Sequence, residues 1–164
     1  MSATALLTTS SAAGAQYDWQ ILHNSKYGFR LAYPHSLFAL ERTTRSGDGH
    51  LFRSQHHGAR LIAGAIVNEE RHTPHSYISY VASRSYAAYR ITYRKVGPSW
   101  FAISGETNGW IFYEKVQFSC NAELITSFAV IYPTSSQRVI NPVIERMENS
   151  FRSARNCSVA NSRT

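Results

Sequence analysis

The sequence predicts an α+β domain built as a three-layer α/β/α sandwich, with one mainly antiparallel sheet between two helices. The clearest observation lies in residues 89–118, where aromatic and β-branched residues form three consecutive strand patterns separated by Gly97-Pro98 and Asn108-Gly109. Two further segments, Ala59–Val67 and Leu124–Tyr132, are apolar at both alternating sets of positions, which is typical of strands covered on both faces. Two segments with helical spacing of apolar residues can supply that cover.

The chain before the first helix predicts five strands. Pro34 ends the second strand, and a turn cluster at residues 46–49 separates the third from the fourth. The fourth and fifth strands form a hairpin across residues 55–58, with Gly58 at a position that favours positive φ. The five predicted strands are Trp19–His23, Tyr27–Tyr33, Leu37–Arg42, His50–Ser54 and Ala59–Val67.

Both helices carry recognisable start signals. The first is predicted to begin at Thr73-Pro74, an N-cap residue followed by proline at the first helical position. The second covers residues 136–151, and we interpret Asn141 as a cap and Pro142 as the first residue of its main part, after a looser turn. One apolar stripe runs along the second helix and consists of Ile140, Val143, Ile144, Met147 and Phe151.

The length of 164 residues predicts one domain, over residues 17–157, with a disordered tail at residues 158–164. Residues 1–16 are either a disordered tail or the remnant of a signal peptide. Ala13-Gly14-Ala15 has the small-x-small form of a signal-peptidase site, but the apolar run Ala5-Leu6-Leu7 is short and no basic residue precedes it. No stretch approaches the roughly 20 apolar residues of a membrane span.

Two cysteines, Cys120 and Cys157, are too few for a four-cysteine zinc site, and no CxxC motif occurs. Cys157 lies in a polar segment, where a buried free thiol is unfavourable. We therefore predict a disulfide between them, and with it an oxidising compartment, so that the protein is periplasmic or secreted.

The chain is basic, with a formal charge of +7 and a pI of about 9.7, and all but three of its 17 basic residues are arginine. Arg90, Arg94 and Lys95, next to Tyr89 and Tyr93, are the candidate anion-binding residues. The remaining basic residues are scattered, which is typical of a solvated surface rather than of a nucleic-acid interface. Nucleic acid is therefore the less favoured partner.

The sequence indicates no catalytic residues, no cofactor and no enzymatic activity. It contains no GxSxG motif and no glycine-rich phosphate loop. Glu106 and Glu114 flank one hairpin, where glutamate usually faces solvent. His72 and His75 are weak metal candidates, because their spacing is not the i, i+4 pair of a helical zinc motif, and we predict no metal site.

Four segments carry a resemblance to known proteins: GDGHLFRSQHHGARLIAGA at residues 47–65, ITYRKVGPSWFAISGETNGWIFYEK at 91–115, AVIYP at 129–133 and SFR at 150–152. The chain resembles, from Tyr27 to Arg152, a family of small bacterial secreted proteins of uncharacterised role. Their fold is similar to that of PsbP, the extrinsic protein of the oxygen-evolving complex, and of the Mog family of Ran-binding proteins.

The matched positions are glycines and core aromatics, so the resemblance carries no catalytic residue. The chain departs from it at His56-His57-Gly58, where an Asp-Gly-type turn is expected. The resemblance implies a non-enzymatic, extracytoplasmic domain that binds a protein or a small anionic partner. The alternative is a basic module that binds nucleic acid or the envelope surface, and the oligomeric state is not predicted.

Overall fold

The computed structural model describes residues 16–162. The signal-peptide-like features Ala5-Leu6-Leu7 and Ala13-Gly14-Ala15 lie outside this range. A short 3₁₀ turn, Thr134–Ser136, precedes the second helix. The strands and helices within the described residues are β1 (Trp19–His23), β2 (Arg30–Pro34), β3 (Ala39–Thr43), β4 (Gly49–Arg53), β5 (Arg60–Val67), α1 (Pro74–Arg84), β6 (Arg90–Val96), β7 (Trp100–Thr107), β8 (Trp110–Ser119), β9 (Leu124–Pro133), α2 (Gln137–Ser150) and α3 (Ser158–Asn161).

Seven strands form one antiparallel sheet in the order β3-β4-β5-β9-β8-β7-β6. The predicted meander is present as β6, β7 and β8. One correction concerns β1 and β2, which form a separate two-stranded ribbon instead of joining the main sheet. The physical reason lies at Arg30, which exchanges two backbone hydrogen bonds with Arg152, so the C-terminal segment occupies that part of β2.

The two faces of the sheet carry separate apolar clusters, which confirms the three-layer architecture. On one face, here called the α2 face, α2 and the β1–β2 ribbon cover side chains of β4, β5 and β9, such as Phe52, Leu61 and Phe128. On the opposite face, here called the α1 face, Ile78 and Val81 of α1 pack against β7 and β8. The helices therefore lie on opposite sides of the sheet.

The start of α1 is as predicted, and the start of α2 is not. Thr73 accepts a hydrogen bond from the backbone N–H of Ser76, and the Ser76 hydroxyl accepts one from the backbone of Thr73, which makes a capping box. In contrast, α2 runs unbroken through Pro142, and Asn141 is not its cap. Asn141 instead accepts a hydrogen bond from the Tyr132 hydroxyl, and the buried apolar stripe holds the helix together across the proline.

A disulfide joins Cys120 and Cys157, whose Cα atoms are 5.4 Å apart, as predicted. The chain after it differs from the disordered tail expected at residues 158–164. Ser158–Asn161 form one helical turn, and Val159 and Ala160 pack against the core of the α2 face. The disulfide brings this segment back to the domain, where it can bury apolar side chains. Among the described residues, no helix is long and apolar enough to cross a membrane.

Candidate functional site

Helix α1 covers only part of its face of the sheet. It packs against β6 and β7, and its apolar cluster reaches β8 and β9. The expectation that β5 is covered on both faces is wrong: Leu61 is buried on the α2 face, whereas Ile62 and Ile66 are 42% and 47% exposed on the α1 face. A helix is about 10 Å wide and strands are about 4.8 Å apart, so one helix cannot cover seven strands.

We call this uncovered surface the open face. It consists of the α1-facing side chains of three adjacent strands, which the pairing register aligns. A cavity of about 250 Å³ lies along it, and an adjoining cavity of about 230 Å³ shares Ile66 and extends beneath Tyr80. The exposed or half-buried residues of the open face are Leu51, Ile62, Gly64, Ile66 and Ser127, and the buried Ala129 lies at its border with the α1 cluster.

An aromatic cluster on α1 forms one wall of the open face. The rings of Tyr77 and Tyr80 stack with centroids 5.8 Å apart, and the His72 ring lies 5.2 Å from each of them. Burial raises the pKa of Tyr77 to about 12, so its hydroxyl stays neutral at physiological pH. The Arg84 guanidinium lies 5.7 Å from the centre of the Tyr80 ring, so the wall combines aromatic surface with polar groups, which suits contact with another protein surface.

The structure gives one of the two weak metal candidates protein partners and leaves the other exposed. Both ring nitrogens of His72 have protein partners, because Nδ1 lies 3.0 Å from Ser76 Oγ and Nε2 lies 3.1 Å from Glu70 Oε2. His75 is exposed on the first turn of α1. In the described part of the chain, no three histidine, cysteine, aspartate or glutamate side chains come together in an arrangement that could hold a metal ion.

Arginines lie at one end and along one side of the open face. The register places Arg42 opposite Leu51, and Arg53 opposite Arg60, all on the α1 face. Arg53 is ion-paired with Glu41, whereas Arg42 and Arg60 make no ion pair within residues 16–162. These residues are far apart in sequence, so only the strand register reveals the group.

The opposite end of the open face has mixed charge. Glu69 and Glu70 follow directly after β5 and line the cavity next to Ile66, but Glu70 is paired with His72 and Arg71 is the next residue. Asp48 lines the adjoining cavity beside Gly64. The charge is therefore positive where β5 begins and weakly negative where β5 ends, and this difference favours one orientation of a bound segment.

The candidate anion-binding residues lie on β6, the outermost strand, and do not form one patch. Arg90 is ion-paired with Glu106. Arg94 and Lys95 are consecutive strand residues, so their side chains leave opposite faces of the sheet. The Lys95 ammonium lies 5.8 Å from the centre of the Trp100 ring. Anion binding by these three residues stays a prediction.

A buried carboxyl group lies beneath α1, where sequence reasoning expected a solvent-facing one. Glu114 is only 9% exposed, and the Tyr86 hydroxyl donates a 2.7 Å hydrogen bond to its Oε2 atom. Burial raises the pKa of Glu114 to about 7, against the opposing effect of hydrogen bonds from Tyr86 and Ser127. The available signal was strand alternation, because Glu114 shares its side of β8 with Phe112 and Val116.

Comparison with solved structures shows a PsbP/Mog-like fold. The chain is similar to cyanobacterial PsbP (CyanoP) from Synechocystis sp. PCC 6803, with a TM-score of 0.59 and 11% identity over 90% of this chain and 98% of that one. It is also similar to the Ran-binding protein Mog1p of Saccharomyces cerevisiae, with a TM-score of 0.59 and 7% identity over 84% of this chain and 96% of that one. No family model and no curated protein sequence matches the chain.

Proposed function

We propose that this chain is a non-enzymatic domain that binds a protein partner outside the cytoplasm, through the open face. The observation that carries the proposal is the exposure of Ile62 and Ile66 on a sheet face that the fold itself leaves uncovered. Complete burial of an isoleucine side chain contributes about 1.5–3 kcal/mol, and the exposed 42% and 47% of these two leave about half of that for a partner to gain. Tyr80, which is 40% exposed, borders the same cavity as Ile66, and contiguous apolar patches of a few hundred Å² on soluble proteins typically mark interaction sites.

The surroundings of the reactive side chains support a binding role over catalysis. Glu114 is enclosed in the core with Tyr86, and His72 is held by Ser76 and Glu70. One fold neighbour is a Ran-binding protein, which supports binding by analogy of fold alone. The apolar centre of the open face favours a protein over the small anionic partner, which needs charged groups rather than isoleucines.

The disulfide supports the extracytoplasmic part of the proposal. Disulfides persist in oxidising compartments and are rare in the cytosol. The bond between Cys120 and Cys157 ties the C-terminal segment to the turn between β8 and β9. Fractionation of native cells with intact-mass measurement tests this part: oxidised protein outside the cytoplasm is expected, and cytosolic protein with two free thiols would refute it.

Site-specific photo-crosslinking in the native cells tests the binding function. A photoreactive amino acid at position 62 of the full-length chain should give a discrete protein adduct. The matched control is position 21, because Ile21 is also an exposed isoleucine but lies on the β1–β2 ribbon. The adduct at position 62 should disappear in an Ile66→Asp background. Equal adducts at both positions, or none at position 62, would contradict the proposal.

A further inference from the structure

We propose that the occupant of the open face is an amphipathic α-helix of the protein partner, with carboxylates at one end of its apolar stripe. This inference rests on the proposed function, because it takes the open face to be a protein-binding site. It adds the secondary structure, the orientation and the charge of the bound segment. Four features of the described residues support it.

The backbone of the open face offers almost no hydrogen-bonding edge to a partner. β9 pairs with all eight residues of β5 and with β8, β4 pairs with Arg60–Gly64 of β5, and the Ala65 N–H donates to the Asp48 carbonyl, so that only Ile66 and Val67 extend past β4. Two residues are too few for an added strand, so a partner here contacts mainly side chains. A segment that packs on such a surface must satisfy its own backbone hydrogen bonds, which a helix does and an extended peptide does not.

The width of the open face fits one helix. Two interstrand spacings separate β4 from β9, which makes about 10 Å, close to the diameter of a helix. The same face already accepts α1 in this way, with Ile78 and Val81 buried against the neighbouring strands. A second helix over β5 would lie three strands or more from β7 and β6, on which α1 packs, which is about 14 Å or more, and the Tyr77–Tyr80 wall would lie between the two helices.

The surface shape of the open face fits a ridge of side chains on a helix. Ile62 and Ile66 are four strand residues apart, which is about 13 Å. Gly64 and Ser127, between and beside them, are small and line the cavity, although the Asp48 carbonyl oxygen lies only 2.9 Å from where a Cβ on Gly64 would be. A separation of about 13 Å corresponds to about nine residues of helix, so an apolar stripe of two to three turns spans both isoleucines.

The charges on the open face set the orientation of the helix. Arg60 stands where β5 begins and Arg42 lies on β3 in the row of Ile62, and neither makes an ion pair within residues 16–162. Glu69 and Glu70 lie at the other end, where Glu70 is paired with His72. Carboxylates on the bound helix are therefore more favourable at the arginine end than at the glutamate end. The partner helix should carry its acidic residues where β5 begins.

Fluorescence anisotropy with synthetic peptides tests the inference on the full chain. The probe is a labelled helical peptide of about 18 residues with leucines in one stripe and glutamates at one end. One control peptide has the same composition with scrambled leucines, and another has lysines in place of the glutamates. The striped acidic peptide should bind, and both controls should bind at least about tenfold more weakly.

Two pairs of variants identify the surface. Ile62→Ser combined with Ile66→Ser should weaken binding by at least about tenfold. Leu40→Ser is the matched control, because this exposed leucine lies opposite Phe52 and so belongs to the α2 face; it should change affinity by less than about twofold. Arg42→Glu combined with Arg60→Glu should reverse the preference towards the lysine peptide, whereas Arg94→Glu on β6 should not.

The outcomes separate this inference from the proposed function. If the adduct at position 62 persists but the striped and scrambled peptides bind equally, or neither binds, the helix is wrong and the protein-binding function stands. If position 62 gives no adduct, both fail. Analytical sedimentation tests whether a second copy of this chain is the occupant. A dimer that dissociates in the Ile62→Ser, Ile66→Ser variant would show that a second copy occupies the open face, which would overturn the inference.

Discussion

Glu114 should make the protein less stable as the pH rises towards neutrality, and Glu114→Gln should remove this effect. The folded state holds the pKa of Glu114 at about 7, against 4.5 for an unperturbed glutamate. Between these values the folded state binds more protons than the unfolded state, so the free energy of unfolding falls as the pH increases. Each pKa unit corresponds to about 1.4 kcal/mol, so the total loss is about 3 kcal/mol.

The physical basis is the cost of a charge beneath α1. The Glu114 carboxyl group receives a hydrogen bond from Tyr86, whose ring stacks on Phe112 with centroids 3.5 Å apart. Burial also raises the pKa of Tyr86, so this hydroxyl remains a neutral donor throughout the range. Glutamine keeps an acceptor for the Tyr86 hydroxyl and has nearly the same shape, so the substitution changes the ionisation and little else.

Urea denaturation at a series of pH values from about 4 to 8 measures the effect. The quantity to compare is the free energy of unfolding of Glu114→Gln minus that of wild type, because other titrating groups cancel in this difference. It should increase by about 3 kcal/mol between pH 4.5 and pH 7 and then level off. Glu145→Gln, an exposed glutamate on α2, is the control and should give a flat difference. A flat difference for Glu114→Gln would refute the reasoning.

Three further predictions concern the disulfide, the core and the basic surface. Cys157→Ser should lower the free energy of unfolding by up to about 4 kcal/mol, because the bond closes a loop with a sequence separation of 37; an unchanged urea midpoint would contradict this. Phe128→Ala should cost about 3–5 kcal/mol, because Phe128 is fully buried on the α2 face; a loss below about 1 kcal/mol would mean that β9 is not central. DNA binding should be lost by about 150 mM salt. At lower salt, the double variant Arg94→Ala, Lys95→Ala should weaken DNA binding no more, per residue replaced, than Arg45→Ala does. Tight binding at that salt, lost in the double variant, would instead support the nucleic-acid alternative.

Local patterns predicted the elements of the fold well. The Thr73-Pro74 start signal, the meander of β6 to β8 and the pairing of the two cysteines all depend on residues close in sequence or on simple counting. The separate β1–β2 ribbon could not be predicted, because it depends on Arg30 bonding to Arg152, at the far end of the chain. Long-range pairing of this kind leaves no periodic signal.

The candidate site was predicted less well, because its charges and its isoleucines are assembled by strand register. Arg42 and Arg60 are separated by 18 positions in sequence and come to one face only through the pairing of β3, β4 and β5. Glu114 was misassigned because glutamate at a hairpin usually faces solvent, although its parity with Phe112 pointed to the core. The residue type of Glu114 favoured an exposed position and strand alternation favoured a buried one, and the side chain is buried.

The difference in burial between β5 and β9 connects the fold to the proposed function. Both strands are apolar on both sides, and the same pattern predicted the same cover for each. β9 is buried on both sides, because it lies beside β8 at the border of the α1 cluster, whereas β5 lies one strand farther out and its α1-facing isoleucines meet solvent. Ile62 and Ile66 therefore keep 42% and 47% of their surface exposed, although the core on the α2 face is completed by Leu61 and its neighbours. The proposed partner would bury the part of these apolar side chains that the fold leaves exposed.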